Sequence, residues 1–198
     1  MPRSVFAVAI LLLPSPTCRR ESPRPSATLE SRTAALPTPQ DTGFVGTTAP
    51  LDRHRPGRPG AVRTLRGVDV PPPQTAAGPG QVYDRIVFEF SGDSVPGYHI
   101  EYSRAPVHRC GSGDPVSVAG TARLVVRFEP ARAHDDQGNP VPRERDLMLG
   151  LQSVREAKLV CDFEGQVEWV LGIATAAPYR VTELTGPARL LLDVKQGP

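Results

Sequence analysis

A period of two, recurring in run after run between residues 61 and 195, limits what this chain can fold into. In VYDRIVFEF (82–90), Ile86, Phe88 and Phe90 fall on one side and Arg85, Val87 and Glu89 on the other. GYHIEY (97–102) sets Tyr98, Ile100 and Tyr102 against His99 and Glu101, and ARLVVRFE (122–129) aligns Ala122, Leu124, Val126 and Phe128. QVEWVLGI (166–173) aligns Val167, Trp169, Leu171 and Ile173, and ARLLLDV (188–194) aligns Leu190, Leu192 and Val194. AVRTLRGVDV (61–70), REAKLVC (155–161) and YRVTEL (179–184) complete the series. Such alternation places one set of side chains on each face of a strand, and the Gly, Pro and Asp between runs supply turns. The expectation is an all-β domain, a small antiparallel β-sandwich of two similar sheets. Only RERDLMLGLQSVREA (143–157) has room for a helical turn or two. A folded part of about 135 residues buries close to two-thirds of its unfolded surface and can fold alone.

One internal echo supports two half-sheets packed face to face. GYHIEY…TARLVVRFEPA and PYRVTELTGPARLLLDVKQG share a plan: Tyr, strand, then Ala-Arg-Leu and an apolar strand ending in an acid. The gaps differ, so the echo is architectural rather than a sequence repeat.

Before residue 61 the text is different. Fourteen of the 23 prolines fall in the first 80 residues, which excludes long helices and central strands there. Residues 19–80 carry nine Arg against five acids, whereas 81–198 carry 13 Lys/Arg against 16 acids. The overall charge of +2 is therefore a property of the linker and gives no support for nucleic-acid binding. Residues 19–60 read as a disordered Pro/Arg-rich linker, and 61–195 as the folded domain. Residues 1–18 have the shape of a signal peptide: Arg3, then the apolar VFAVAILLL (5–13), too short to span a bilayer comfortably. Cys18 follows directly, where a bacterial lipoprotein carries its lipid, although Ser15, Pro16 and Thr17 depart from a good lipobox. The expected location is extracytoplasmic and lipid-anchored to the cell envelope, with simple secretion as the alternative.

Export gives the remaining cysteines meaning. Cys110 and Cys161 are expected to form a disulfide, and closing a loop of about fifty residues stabilises the fold by roughly 3–4 kcal/mol on the chain-entropy model. No Cys-x-x-Cys or His spacing supports a metal pair.

The polar clusters read more simply as turns than as sites. His134-Asp135-Asp136 lacks the further ligands of a calcium loop, and DDQGNP is ordinary hairpin chemistry. Ser112 in CGSGD has its glycines at the wrong offsets for a nucleophile elbow. Asp162 and Glu164 flank Phe163 as a conceivable acid pair, but DFEG before a strand forms a turn more readily. His99 and His108 have no identifiable partners. Trp169 is a candidate platform for a sugar ring, yet it shares a face with Val167, Leu171 and Ile173, which favours burial. Tyr98, Tyr102 and Tyr179 stand beside it as candidate ligand-binding residues. No catalytic residue, cofactor or metal is expected.

YDRIVFEFSGDSVPGYHIEY, followed by CGSG, CDFEG, EWVLGI and PYRVTELTGPARLLLDV, resembles the AMIN-like domain of bacterial lipoproteins. The resemblance covers about residues 61–194. That group is similar in turn to the AMIN domain of cell-wall amidases and pilus secretins, a sandwich of two small sheets that localises proteins by binding peptidoglycan. Chains with an AMIN domain usually continue into a zinc amidase or a secretin, whereas this one reaches Pro198. The resemblance therefore implies a non-enzymatic binding module of the envelope. Its implied partner is peptidoglycan or, as the alternative, an envelope protein received at an open sheet edge.

Overall fold

A computed structural model describes residues 43–55, 62–75 and 82–197. The signal peptide, Cys18 and the linker through residue 42 lie outside the described residues. Among the described residues there is no helix, and fourteen strands form. These are β1 (Leu51–Arg53), β2 (Arg63–Asp69), β3 (Gln74–Thr75), β4 (Val82–Phe90), β5 (Gly97–Ser103), β6 (Val107–His108) and β7 (Pro115–Val116). They continue with β8 (Ala122–Glu129), β9 (Ala131–Arg132), β10 (Asp146–Met148), β11 (Val154–Phe163), β12 (Gln166–Ile173), β13 (Tyr179–Leu184) and β14 (Ala188–Lys195). One sheet runs β1-β5-β8-β12-β11-β10 and the other β13-β14-β4-β2-β9, with β3 also on β4 and β6–β7 a separate hairpin. Every pairing is antiparallel except the short β2–β9 contact.

The expected inward faces meet as a sandwich. Ile86, Phe88 and Phe90 pair with Leu192, Leu190 and Ala188, so one apolar stripe crosses both strands. Phe88 meets Phe128 and Trp169 of the opposite sheet edge-on, with centroids 5.1 and 6.2 Å apart, and Phe90 meets Phe128 at 4.8 Å. Tilted ring pairs at these separations add to the stabilisation from burial itself. The two echoing stretches become corresponding pairs, β5 with β8 in one sheet and β13 with β14 in the other.

Three local expectations give way. The stretch with room for a helical turn is instead β10 and the start of β11, because Leu147 aligns with Ala157 and packs on the core. The outward side of β4 is not simply a wet face. There Arg85 donates to both oxygens of Asp193 (2.6 and 2.9 Å), and both residues are almost fully buried. Arg180 donates to the same carboxylate at 2.9 Å and lies over the rings of Phe44 and Tyr83.

The third difference concerns residues 43–55, which composition assigns to the linker. Phe44 packs on Tyr83, and Thr47 and Tyr179 exchange two backbone hydrogen bonds of 2.8 Å. Leu51 then pairs with Ile100 to add β1 to the edge of β5. A Cβ on Gly97 would come within 2.5 Å of the Glu129 carbonyl oxygen and 3.0 Å of that of Arg53, so this arm needs glycine beneath it. The Glu183 carboxylate takes Arg55, the Tyr98 hydroxyl (3.0 Å) and Arg53 (3.4 Å), clamping the arm to both sheets.

The outward face of the first sheet is covered by the β6–β7 hairpin. Val107, with Val116 and Val118, lies on Val125, Val160 and Val170. Cys110 is disulfide-bonded to Cys161, as expected, with Cα atoms 5.1 Å apart. Past the hairpin, the Ala119 N–H donates to Glu156 (2.7 Å) and the Lys158 ammonium to the Ser117 carbonyl (2.9 Å).

Candidate functional site

At one end of the sandwich, where β11 begins and β14 ends, a cleft of about 590 Å³ opens between the sheets. Its size lies in the range of small-ligand sites. Arg155 of the first sheet and Lys195 of the second line it, with Gln152, Gln196 and a wall running from Ala174 to Pro178. Among the described residues, no carboxylate lines it. Neither the Arg155 guanidinium nor the Lys195 ammonium has a partner among the described residues. Eight of the other fourteen described arginines are ion-paired, and Arg66 and Arg143, which are not, share their cleft with Asp69 and Glu144, so this concavity is set apart by holding two unpaired cations with no described carboxylate beside them.

Asp84 organises the rim. It is fully buried and accepts hydrogen bonds from the Ser153 and Val154 N–H groups (2.7 and 2.9 Å) and from Gln196 Nε2 (2.6 Å). A buried carboxylate with three donors is satisfied where an unpaired one would cost several kcal/mol. The same contacts tie the loop before β11 to the C-terminal strand. Ser153 Oγ donates to the Lys195 carbonyl (2.9 Å) and Gln152 Nε2 to that of Gly197 (3.0 Å).

The aromatic candidates stand behind this cleft or away from it. Tyr102 donates to the Ala177 carbonyl (2.7 Å) and accepts from the Ala177 N–H (3.1 Å), buttressing the wall. Tyr179 is fully buried beside it, its hydroxyl 2.7 Å from the Ala49 carbonyl oxygen and 2.9 Å from that of Ile100. Burial raises the Tyr102 hydroxyl above its ordinary pKa, and burial with nearby Tyr102 and Glu101 pushes Tyr179 up to about 12. Tyr98 is nearly buried and held to Glu183, and burial raises it as well. Trp169 is fully buried in the core against Phe88. The structure thus brings Tyr102 and Tyr179 together, with ring centroids 6.1 Å apart, and leaves Tyr98 and Trp169 elsewhere.

The remaining polar clusters are occupied internally. Asp135 accepts from the Gln137 and Asn139 N–H groups and from the Asn139 amide, and Asn139 above all lowers its pKa. Asp162 takes His134 Nδ1 (3.0 Å), the Ala133 N–H (2.8 Å) and Arg145 (3.1 Å). A smaller cleft of about 200 Å³ beneath β1 contains Arg53, Arg55, Arg127 and His99. The three arginines are already committed to Glu183 and Glu168, and His99 Nδ1 lies 2.8 Å from Asp52. Among the described residues, no group of three or more His, Cys, Asp or Glu is arranged to hold a metal ion.

Sequence reasoning missed Arg155, Lys195 and Asp84. The two cations look like ordinary solvent-facing residues until the sheets bring them to one end. Asp84 did carry a signal, because it is in phase with Ile86, Phe88 and Phe90 and so points inward.

No curated protein and no solved structure matches the chain. A family model described as the AMIN-like domain matches residues 74–196, which run from β3 through the end of β14 and take in all of the cleft's described lining except Gly197. That match covers more than half of the chain, and the chain belongs to the AMIN-like domain family, whose members are generally non-catalytic, envelope-associated modules.

Proposed function

We propose that this protein is a non-catalytic module that binds cell-wall peptidoglycan through the cleft between Arg155 and Lys195 and is held at the envelope by its N-terminal region. The pair of unpaired cations in a concavity without carboxylates carries the reading. Wall polymers bear carboxylates, and a cationic site attracts them before contact and holds them by charge-assisted hydrogen bonds afterwards. The signal-peptide shape of residues 1–18 puts the domain in the right compartment, and a lipid on Cys18 tethers it there. Retention on purified sacculi tests the proposal. The expected result is binding that exceeds a β-sandwich control and falls when Arg155→Ala and Lys195→Ala are combined. Retention no better than the control removes it.

A second reading is favoured by the edge of the second sheet. β2 pairs with β9 only at Arg63 and Thr64, so among the described residues Arg66–Asp69 is hydrogen-bonded on the β4 side alone. A cleft of about 510 Å³ separates this edge from residues 140–144, where Pro140 and Pro142 have no N–H to offer. An envelope protein contributing one extended strand fits that opening. In-cell crosslinks at Val68 that survive muramidase digestion identify a protein partner; crosslinks that vanish with the wall do not.

A further inference from the structure

We infer that the cleft receives the free carboxylate end of a short peptide with methyl-sized side chains, and not a sugar ring. The inference rests on the proposed wall-binding role and specifies which part of the polymer is held. Among the described residues the lining has no aromatic ring: Tyr102 and Tyr179 are behind the wall, with their hydroxyls engaged, and Trp169 is in the core. A flat platform for a pyranose is therefore missing from the place where the cations stand. What the wall does present is small, namely Ala174, Thr175, Ala176, Ala177 and Pro178. Small side chains let a peptide backbone lie close along the wall, and at that close approach the ligand side chains facing it fit when they are no larger than methyl.

The polar groups fit a peptide end. Thr175 and Ala176 lie outside any strand, and their N–H groups have no hydrogen-bond partner among the described residues. They offer free donors at the bend that follows β12, and a peptide backbone carries the matching acceptors. Arg155 supplies a planar fork matched to a carboxylate, and Lys195 supplies a point charge from the other sheet. Gln152 and Gln196 are held by Gly197 and Asp84, each through one amide hydrogen-bonding group, so each retains capacity toward a ligand. The buried Asp84 contacts fix the geometry of this rim in advance, which lowers the ordering cost of binding.

The test is a calorimetric titration of the folded chain with N-acetyl-trialanine bearing a free carboxylate. Its C-terminal amide, the same peptide with leucine in place of alanine, and an N-acetylglucosamine oligomer serve as comparators. Sacculus retention is measured on the same preparations. The free acid is expected to saturate one site, to bind about tenfold or more tightly than the amide, and to weaken as salt rises. Arg155→Ala should lower its affinity by about tenfold with unchanged thermal unfolding, and Arg155→Lys should restore part of it. Equal binding of acid and amide overturns the inference, as does tighter binding of the leucine peptide. Sacculus retention with binding of the sugar oligomer alone overturns it too, while leaving wall binding intact. Binding of the free acid without sacculus retention overturns the wall reading and keeps the chemistry of the cleft.

Discussion

On the outward face of the second sheet, Arg85, Arg180 and Asp193 are locked into a buried ionic cluster roofed by Phe44 and Tyr83. On the outward face of the first, six valines and a disulfide hold the β6–β7 hairpin down. Both devices take a sheet face out of water, but they fail differently. Charges removed from solvent are stable only while every partner is present. A small apolar cluster loses stability gradually, and its covalent link acts chiefly by limiting the unfolded chain.

The largest effect should come from breaking the ionic side. Asp193→Ala leaves Arg85 buried without its counterion, and the expected loss is about 3–5 kcal/mol in urea unfolding. Replacing Arg85 with Met and Asp193 with Leu together should recover most of it. If the double variant is as unstable as the single one, the ionic account of that face is wrong. On the covalent side, Cys110→Ser with Cys161→Ser should cost about 3–4 kcal/mol. Hydrogen exchange across residues 104–121 should rise well before the global transition, because only the valines and a few polar bonds remain.

Two pH experiments sharpen the contrast at smaller scale. Tyr179 titrates at about 12 in the folded protein against an ordinary value near 10, so above pH 10 the unfolded chain releases its proton first. Its contribution is complete below pH 10 and is lost between 10 and 12. On the order of 2 kcal/mol should disappear over that interval, and Tyr179→Phe should flatten the profile. At the acid end, burial opposes the charge of Glu156, but Lys158 and the Ala119 N–H outweigh it and hold the carboxyl below its usual value. Its latch on the hairpin is therefore present above about pH 4.5 and weakens as pH falls through the lowered value. Faster exchange of the Ala119 amide at pH 3 than at pH 6, beyond the intrinsic rate difference, is the expected sign, with a stability change of about 1 kcal/mol or less.

The eight longer strands were visible in the sequence because each has a buried face, and burial imposes the period of two. The two- and three-residue strands β1, β3, β6, β7, β9 and β10 are too short to show such a period, and β1 and β9 are defined by partners distant in the chain. The arm at residues 43–55 was read as linker for the same reason. Its two apolar anchors, Phe44 and Leu51, cannot outweigh the prolines and polar residues around them in a composition argument. The disulfide was legible from export and parity. The cleft was not, because Arg155 and Lys195 belong to strands of different sheets and neither run marks its cation as unusual.

The arm has a mechanical consequence. A pull on the chain from the N-terminal side of residue 43 meets the Phe44 contact first, then the paired Thr47–Tyr179 bonds, then the β1–β5 ladder with its Glu183 clamp. Load is spent in series on this stitched segment before it reaches the ladder that joins β4 to β14. The domain is thereby fitted with a strain relief, much as a cable is secured at its housing.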